Sequence, residues 1–328
     1  MRKLIPLLLS IVLILASCEL FTDEPVAGDV YAIMVGLDYQ NNSQRDLYGT
    51  INDANELDLA FKSVTQQTGK AYFGYKFLQI GSSFVSSTTH TIGSKSVNSY
   101  PSLSNLKEAI AALKDITQKD DLILFTYSGH GNDDGTIALG SSSYSDAALS
   151  PVQEILDSFV DNDIKGRKLI ILDTCYSGVS LPDSPGSSNT VLGSSIDDWY
   201  AKYWDNTLYE LPDLFVLTAS ADTESYEDEF NKEATVGTKH NHGLFTAALL
   251  EALGWRHPHA TDITTVVLGN PPALRGSALS VDSIYSYVFN YIEKHPDYNP
   301  QWSIFKLNET TQHPLVSGGA MDMVLFRF

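Results

Sequence analysis

KLIILDTCYSG, residues 168–178, decides how the rest of the chain is read. Leu169 to Leu172 form the unbroken aliphatic run expected of a strand covered on both faces. The run stops at Asp173, and a turn of small and polar residues carries Cys175 directly after it. A second stretch, DLILFTYSGHG at 121–131, has the same build and delivers His130 between Gly129 and Gly131. A helical pattern around Pro151–Val160 separates the two runs, and strand–helix–strand order predicts a parallel sheet. Reacting groups in such sheets gather beyond the carboxyl ends of the strands. His130 and Cys175 both arrive there.

The flanking pattern extends this α/β reading. Val30–Leu37 is a nearly continuous apolar strand, followed by a helix over about Ile51–Thr65 and a loosely alternating strand at 71–80. The Ser/Thr/Gly-rich segment 81–101 predicts a hairpin or surface loop, and a helix follows from Leu103 with Ser102 or Ser104 placed to cap it. Leu214–Leu217 predicts another buried strand, His242–Leu253 and Val281–Lys294 amphipathic helices, and Met323–Phe328 a closing edge strand. Residues 180–212 lack periodicity and read as an irregular insertion. No repeat or linker divides residues 30–328, which predicts one domain there.

The N-terminus is read separately. Arg2 and Lys3 precede an apolar run from Leu4 to Ala16, with the length and polarity of a secretory signal. Leu15-Ala16-Ser17-Cys18 resembles a bacterial lipobox, which implies a signal peptide over 1–17, a lipidated Cys18 and a polar tether over 18–29. The expected location is therefore the bacterial cell envelope, exported and held to the membrane by lipid. With Cys18 lipidated, Cys175 is the one thiol left among two cysteines, and no internal disulfide is expected. The 328 residues carry a net charge of −19, which argues against nucleic-acid partners.

A thiol becomes a useful nucleophile where it can ionise and an imidazole can shuttle protons. FTYSGHG (125–131) and LDTCYSG (172–178) resemble the paired motifs of the caspase/metacaspase superfamily of cysteine peptidases, 45 residues apart as in that family. The resemblance extends to YAIMVGLDYQ, LYGTINDANELDLAF, VLTASADTESYE, HGLFTAALLEAL and TQHPLVSGG, in the family's order. It implies a three-layer α/β/α sandwich around a mostly parallel sheet. It also implies a cysteine endopeptidase in which Cys175 attacks the scissile carbonyl and His130 is the general acid/base. The oxyanion would rest on the backbone N–H groups of Gly131 and Cys175.

Animal caspases carry Gln-Ala-Cys-Arg around the nucleophile, whereas this chain has Asp173-Thr174-Cys175-Tyr176, with the acid where metacaspases place theirs. The resemblance thus implies cleavage after Arg or Lys, with Asp173 as the pocket acid and Asp222 as a second candidate. Tyr176 departs from the His that many metacaspases have after the nucleophile. The expected partner is a protein or peptide with a basic residue before the cleaved bond.

No cofactor and no metal site are expected. Some metacaspases are activated by calcium, but Asp133, Asp134, Asp146, Asp161, Asp163, Asp197 and Asp198 form no D-x-D-x-D-G loop. His240, His242, His257 and His259 lack further ligand spacing and read as loop histidines. Lys202 and Lys239 would be basic positions for self-cleavage. Two rival readings stay open: a caspase-fold lipoprotein that binds peptides or a partner without cleaving, and a legumain- or clostripain-like hydrolase.

Overall fold

A computed structural model describes residues 28–40, 44, 46–81, 88–141, 147–178, 214–220, 224–225, 227–228, 242–256, 267–294, 312, 314–318 and 323–328. Its centre is a six-stranded sheet of β1 (Val30–Leu37), β2 (Tyr72–Gln79), β3 (Leu122–Ser128), β4 (Arg167–Asp173), β5 (Leu214–Thr218) and β6 (Leu315–Gly318). The strand order is β6-β5-β4-β3-β1-β2. Neighbours from β5 to β2 pair in parallel, and β6 alone runs antiparallel, against β5.

Every residue of β1, β3 and β4 is buried. That is why these strands read as continuous apolar runs: both faces of the sheet are covered. Successive side chains point to opposite faces, so each strand feeds two cores. On one face Ala32, Met34, Leu124 and Ile171 meet α1 (Thr50–Gln67), α4 (Leu244–Ala252) and α5 (Val281–Lys294) through Phe61, Phe245 and Ile284. On the other, Ile33, Val35, Phe125 and Ile170 meet α2 (Leu103–Leu113) and α3 (Val152–Asp161) through Ile110 and Phe159. Each fully buried side chain of this size stabilises the fold by about 2 kcal/mol relative to leaving it exposed.

The three-layer α/β/α expectation holds, and most predicted elements fall within a residue or two of their observed limits. Ser102 caps α2 by accepting from the Asn105 N–H at 3.3 Å. Within 81–101 the hairpin is Thr89–Ile92 paired with Lys95–Asn98.

Two expectations need correction, and one ribbon was not anticipated. The closing segment, Val324–Arg327, pairs with Ala278–Ser280 in a separate two-stranded ribbon, and the edge of the main sheet is β6. Alternation cannot tell which neighbour a short strand chooses, and here Leu325 and Phe326 are drawn into the core beside α5. The predicted helix at His242 starts two residues later, because His242 and Gly243 pair with Glu227–Asp228 as a short antiparallel bridge. A ribbon of Thr136–Gly140 against Ala147–Pro151, before α3, had no counterpart in the sequence reading. The insertion at 180–212 and the N-terminal 27 residues lie outside the described residues.

Candidate active site

Strand register brings the two motifs together. Ser128 and Asp173 are opposed as the last residues of β3 and β4. His130 and Cys175 each lie two residues further on, at the carboxyl edge of the sheet. The Gly129 N–H donates to the Asp173 carbonyl at 3.3 Å, joining the two turns. Gly131 lies so close to the Cys175 carbonyl and the Thr174 side chain that a Cβ there would collide with both. The second glycine of SGHG is therefore required by contact with the cysteine turn.

The cysteine turn is anchored from the other side. Ser177 and Ser220 exchange bonds, with the Ser220 N–H donating to Ser177 Oγ at 3.0 Å and Ser177 Oγ donating to the Ser220 carbonyl at 3.1 Å. The Gly178 N–H reaches the same carbonyl at 2.8 Å. Tyr176 sits in the left-handed region at φ 52°, where a bulky side chain is disfavoured, so the turn beside the nucleophile is held under strain.

Cys175 is a free, half-buried thiol. The Ser225 N–H points at its sulfur at 3.4 Å. Burial pushes the thiol above its ordinary value; the Ser225 N–H pulls the other way, while Glu224 and Asp173 push it further up. The resting group is thus the neutral thiol, which a base must deprotonate before it attacks.

Asp173 turns inward from the same strand end and is buried. Its carboxylate accepts from the Thr246 N–H at 3.0 Å and Thr246 Oγ1 at 2.7 Å, in the first turn of α4, and from Ser225 Oγ at 2.9 Å. Ser225 therefore touches both the thiol and this acid. Close by, Asp53, in the first turn of α1, accepts from Ser128 Oγ at 2.5 Å and the Gly243 N–H at 3.2 Å. His242 completes the group, with Nδ1 at 2.8 Å from Asp53 and Nε2 at 3.3 Å from Glu56, and no exposed side-chain surface.

The reading of His242 as a loop histidine is corrected by these contacts: it is a buried imidazole set between the carboxylates of Asp53 and Glu56. Asp53, Glu56 and Ser225 were likewise not singled out. An acid in the first helical turn looks like a dipole-favoured end group, and only the fold shows that Asp53 faces Ser128 and His242. Asp222 and Cys18 lie outside the described residues, as do Asp146, Asp197, Asp198, His240, His257, His259, Lys202 and Lys239. Asp134 and Asp163 are exposed turn groups bonded to Thr136 and Lys165. Among the described residues, no group of three His, Cys, Asp or Glu side chains could hold a metal ion.

Residues 29–269 match the Caspase domain family of peptidases, more than half of the 328 residues. The chain belongs to the Caspase domain family. Comparison with curated proteins finds none that matches. The match spans the sheet from β1 to β5 and both motif turns, so the paired turns are those of a caspase domain. Beyond the match, Val281, Ile284, Leu325 and Phe326 pack in the same core as α1 and α4.

The acid cluster makes a pH signature for this caspase domain. Burial, with the Asp53 charge adding to it, lifts Asp173 to about 7. Burial opposes the charge on His242, but its bonds to Asp53 and Glu56 and their charges outweigh this and lift it to about 9. Burial also raises Asp53, while His242, Ser128 and Gly243 pull it down. A raised folded-state value stabilises the fold below the unfolded value and loses that contribution as pH rises through the folded one. The Asp173 contribution therefore fades between about pH 4 and 7, and that of His242 between about 6.5 and 9. Asp173→Asn is expected to gain on the wild type over pH 4 to 7 by on the order of 3 kcal/mol, with no further change above pH 8. Urea denaturation at four pH values checks this, and a constant difference across the range would contradict a raised Asp173.

Proposed function

We propose that this caspase domain is a cysteine endopeptidase working through Cys175 and His130. The observation that carries the reading is the contact of Gly131 on the Cys175 carbonyl, which joins the imidazole turn to the thiol turn at the strand ends. His130 takes the thiol proton, Cys175 attacks the scissile carbonyl, and the N–H groups of Gly131 and Cys175 receive the developing oxyanion. His130 then protonates the leaving amine, and a water activated by the same imidazole releases the acyl group.

Cleavage after Arg or Lys draws support from charge. Asp173 and Asp53 are buried carboxylates close enough to influence each other, and Ser225 links Asp173 to the thiol. A guanidinium entering beside them would exchange water for ionic hydrogen bonds, with bidentate geometry favouring Arg. Asp222 is proposed with Asp173 as a pocket acid on sequence grounds alone. A protein or peptide is the substrate. The Cys18 lipid would hold the enzyme at the cell envelope, and loss of labelled fatty acid on Cys18→Ser would test this.

Fluorogenic peptides ending in Arg, Lys or Asp, offered to the full-length protein with calcium or with a chelator, test the reading. At least tenfold preference for Arg or Lys over Asp is expected. Turnover after Asp alone would remove the pocket role from Asp173. A second reading, a module that binds without cleaving, draws on the thiol being pushed toward its protonated form by burial, with Glu224 and Asp173 adding to it. It predicts binding of basic peptides with no turnover under any condition.

A further inference from the structure

A general acid/base works only if its imidazole is held in place. His130 lies in a short turn, and the fold supplies a holder from a distant part of the chain. Tyr39, two residues past β1, has φ 55°, a left-handed conformation that costs a bulky residue about 1 kcal/mol or more. In that conformation its ring is fully buried under the His130 turn.

The Tyr39 hydroxyl accepts the His130 backbone N–H at 2.9 Å and donates to the Ala138 carbonyl at 2.7 Å. The Tyr127 hydroxyl lies 2.9 Å from that of Tyr39 and 2.9 Å from the His130 carbonyl oxygen, which also accepts the Ala138 N–H at 3.0 Å. Both peptide groups of His130 are thus engaged. A Cβ at Gly129 would collide with both phenol oxygens, which accounts for the first glycine of SGHG. The Tyr39 ring then lies against the imidazole, with centroids 4.6 Å apart and planes at 42°. At that separation the ring face also attracts an imidazolium.

We infer that Tyr39 is a positioning residue for His130, its hydroxyl holding the main chain and its ring limiting rotation of the imidazole. The inference rests on the reading of His130 as general acid/base. Tyr127 is an accessory, since its removal leaves the Tyr39 contacts to the N–H and to the ring.

Steady-state kinetics of full-length Tyr39→Phe, Tyr39→Leu and Tyr127→Phe test this, beside wild type and Cys175→Ala. Tyr39→Phe should lower kcat about tenfold and Tyr39→Leu about a hundredfold, with KM within about twofold, because misplacement of a catalytic group acts on the chemical step. Tyr127→Phe should keep kcat within about threefold. Substrate-independent evidence comes from carbon-13 histidine spectra in the Cys175→Ala background. One set of His130 ring signals should become broadened or multiple with Tyr39→Leu and return to one set with Tyr39→Phe.

An unchanged kcat in folded Tyr39→Leu, or an undisturbed single set of its ring signals, overturns the inference. If the Leu variant does not fold, Tyr39→Phe decides, and a kcat within twofold of wild type overturns it. A larger loss in Tyr127→Phe than in Tyr39→Phe moves the role to Tyr127 and also overturns it. Should the wild type cleave no peptide, the peptidase reading fails, while the ring signals still judge Tyr39.

Discussion

Cys175→Ala is expected to reduce cleavage of Arg- or Lys-terminated peptides by about 10⁴-fold or more, since the sulfur forms the bond to the acyl group. The fold should be spared. The side chain is half-buried, and alanine removes one sulfur whose partners are the main-chain groups of Ser225, so the stability change should stay under about 1 kcal/mol. Active-site titration with a thiol-directed alkylating agent, followed by peptide mapping, should label wild type at Cys175 and leave that position unlabelled in the variant. Its rate on wild type should climb with pH, as expected of a thiol pushed up by burial. Retention of a tenth of the activity in Cys175→Ala would exclude this thiol as the nucleophile.

The largest effect on stability is expected from His242→Ala. His242 stands between Asp53 and Glu56 with no exposed side-chain surface, so removing it leaves two carboxylates facing a cavity without their cation. Breaking a buried ion pair from one side costs about 3–5 kcal/mol. For a domain of this size that lowers Tm by about 10 °C. The double variant His242→Leu with Asp53→Leu removes the pair together and should recover part of the loss, because the desolvation of both charges disappears with them. Calorimetry near pH 6, where His242 is charged, measures both variants. A single variant within about 1 kcal/mol of wild type would show that the imidazole carries no charge between these acids.

The strands were legible because both faces of the sheet are covered. β1, β3 and β4 each carry an apolar run, Val30–Leu37, Leu122–Phe125 and Leu169–Leu172, so pattern alone marked them, and the turns that follow announced themselves through Gly, Ser and Asp. His130 and Cys175 were legible for the same reason. Each stands directly after such a run, where the rules of open α/β sheets place reacting groups. Asp53, His242, Ser225 and Tyr39 were not. Each looks ordinary in its local context: an acid in a first helical turn, a histidine before a helix, a serine in a polar loop, a tyrosine after a strand. Their partners lie 189 residues away for His242 and Asp53, 50 for Ser225 and Cys175, and 91 for Tyr39 and His130. The closing strand failed for a related reason, since alternation reports that a strand exists and not which strand it joins.

By itself the amino-acid sequence determined the α/β class, the five parallel strands of the sheet, and the two turns that bear His130 and Cys175. These follow from hydrophobic periodicity and turn chemistry, which act between near neighbours. Tertiary structure alone decided that Ser128 and Asp173 stand level, that Gly131 rests on the Cys175 carbonyl, and that Asp53, Glu56 and His242 share one buried site. Those facts depend on the register between strands and on the desolvation of charges, and both are set only when distant segments pack.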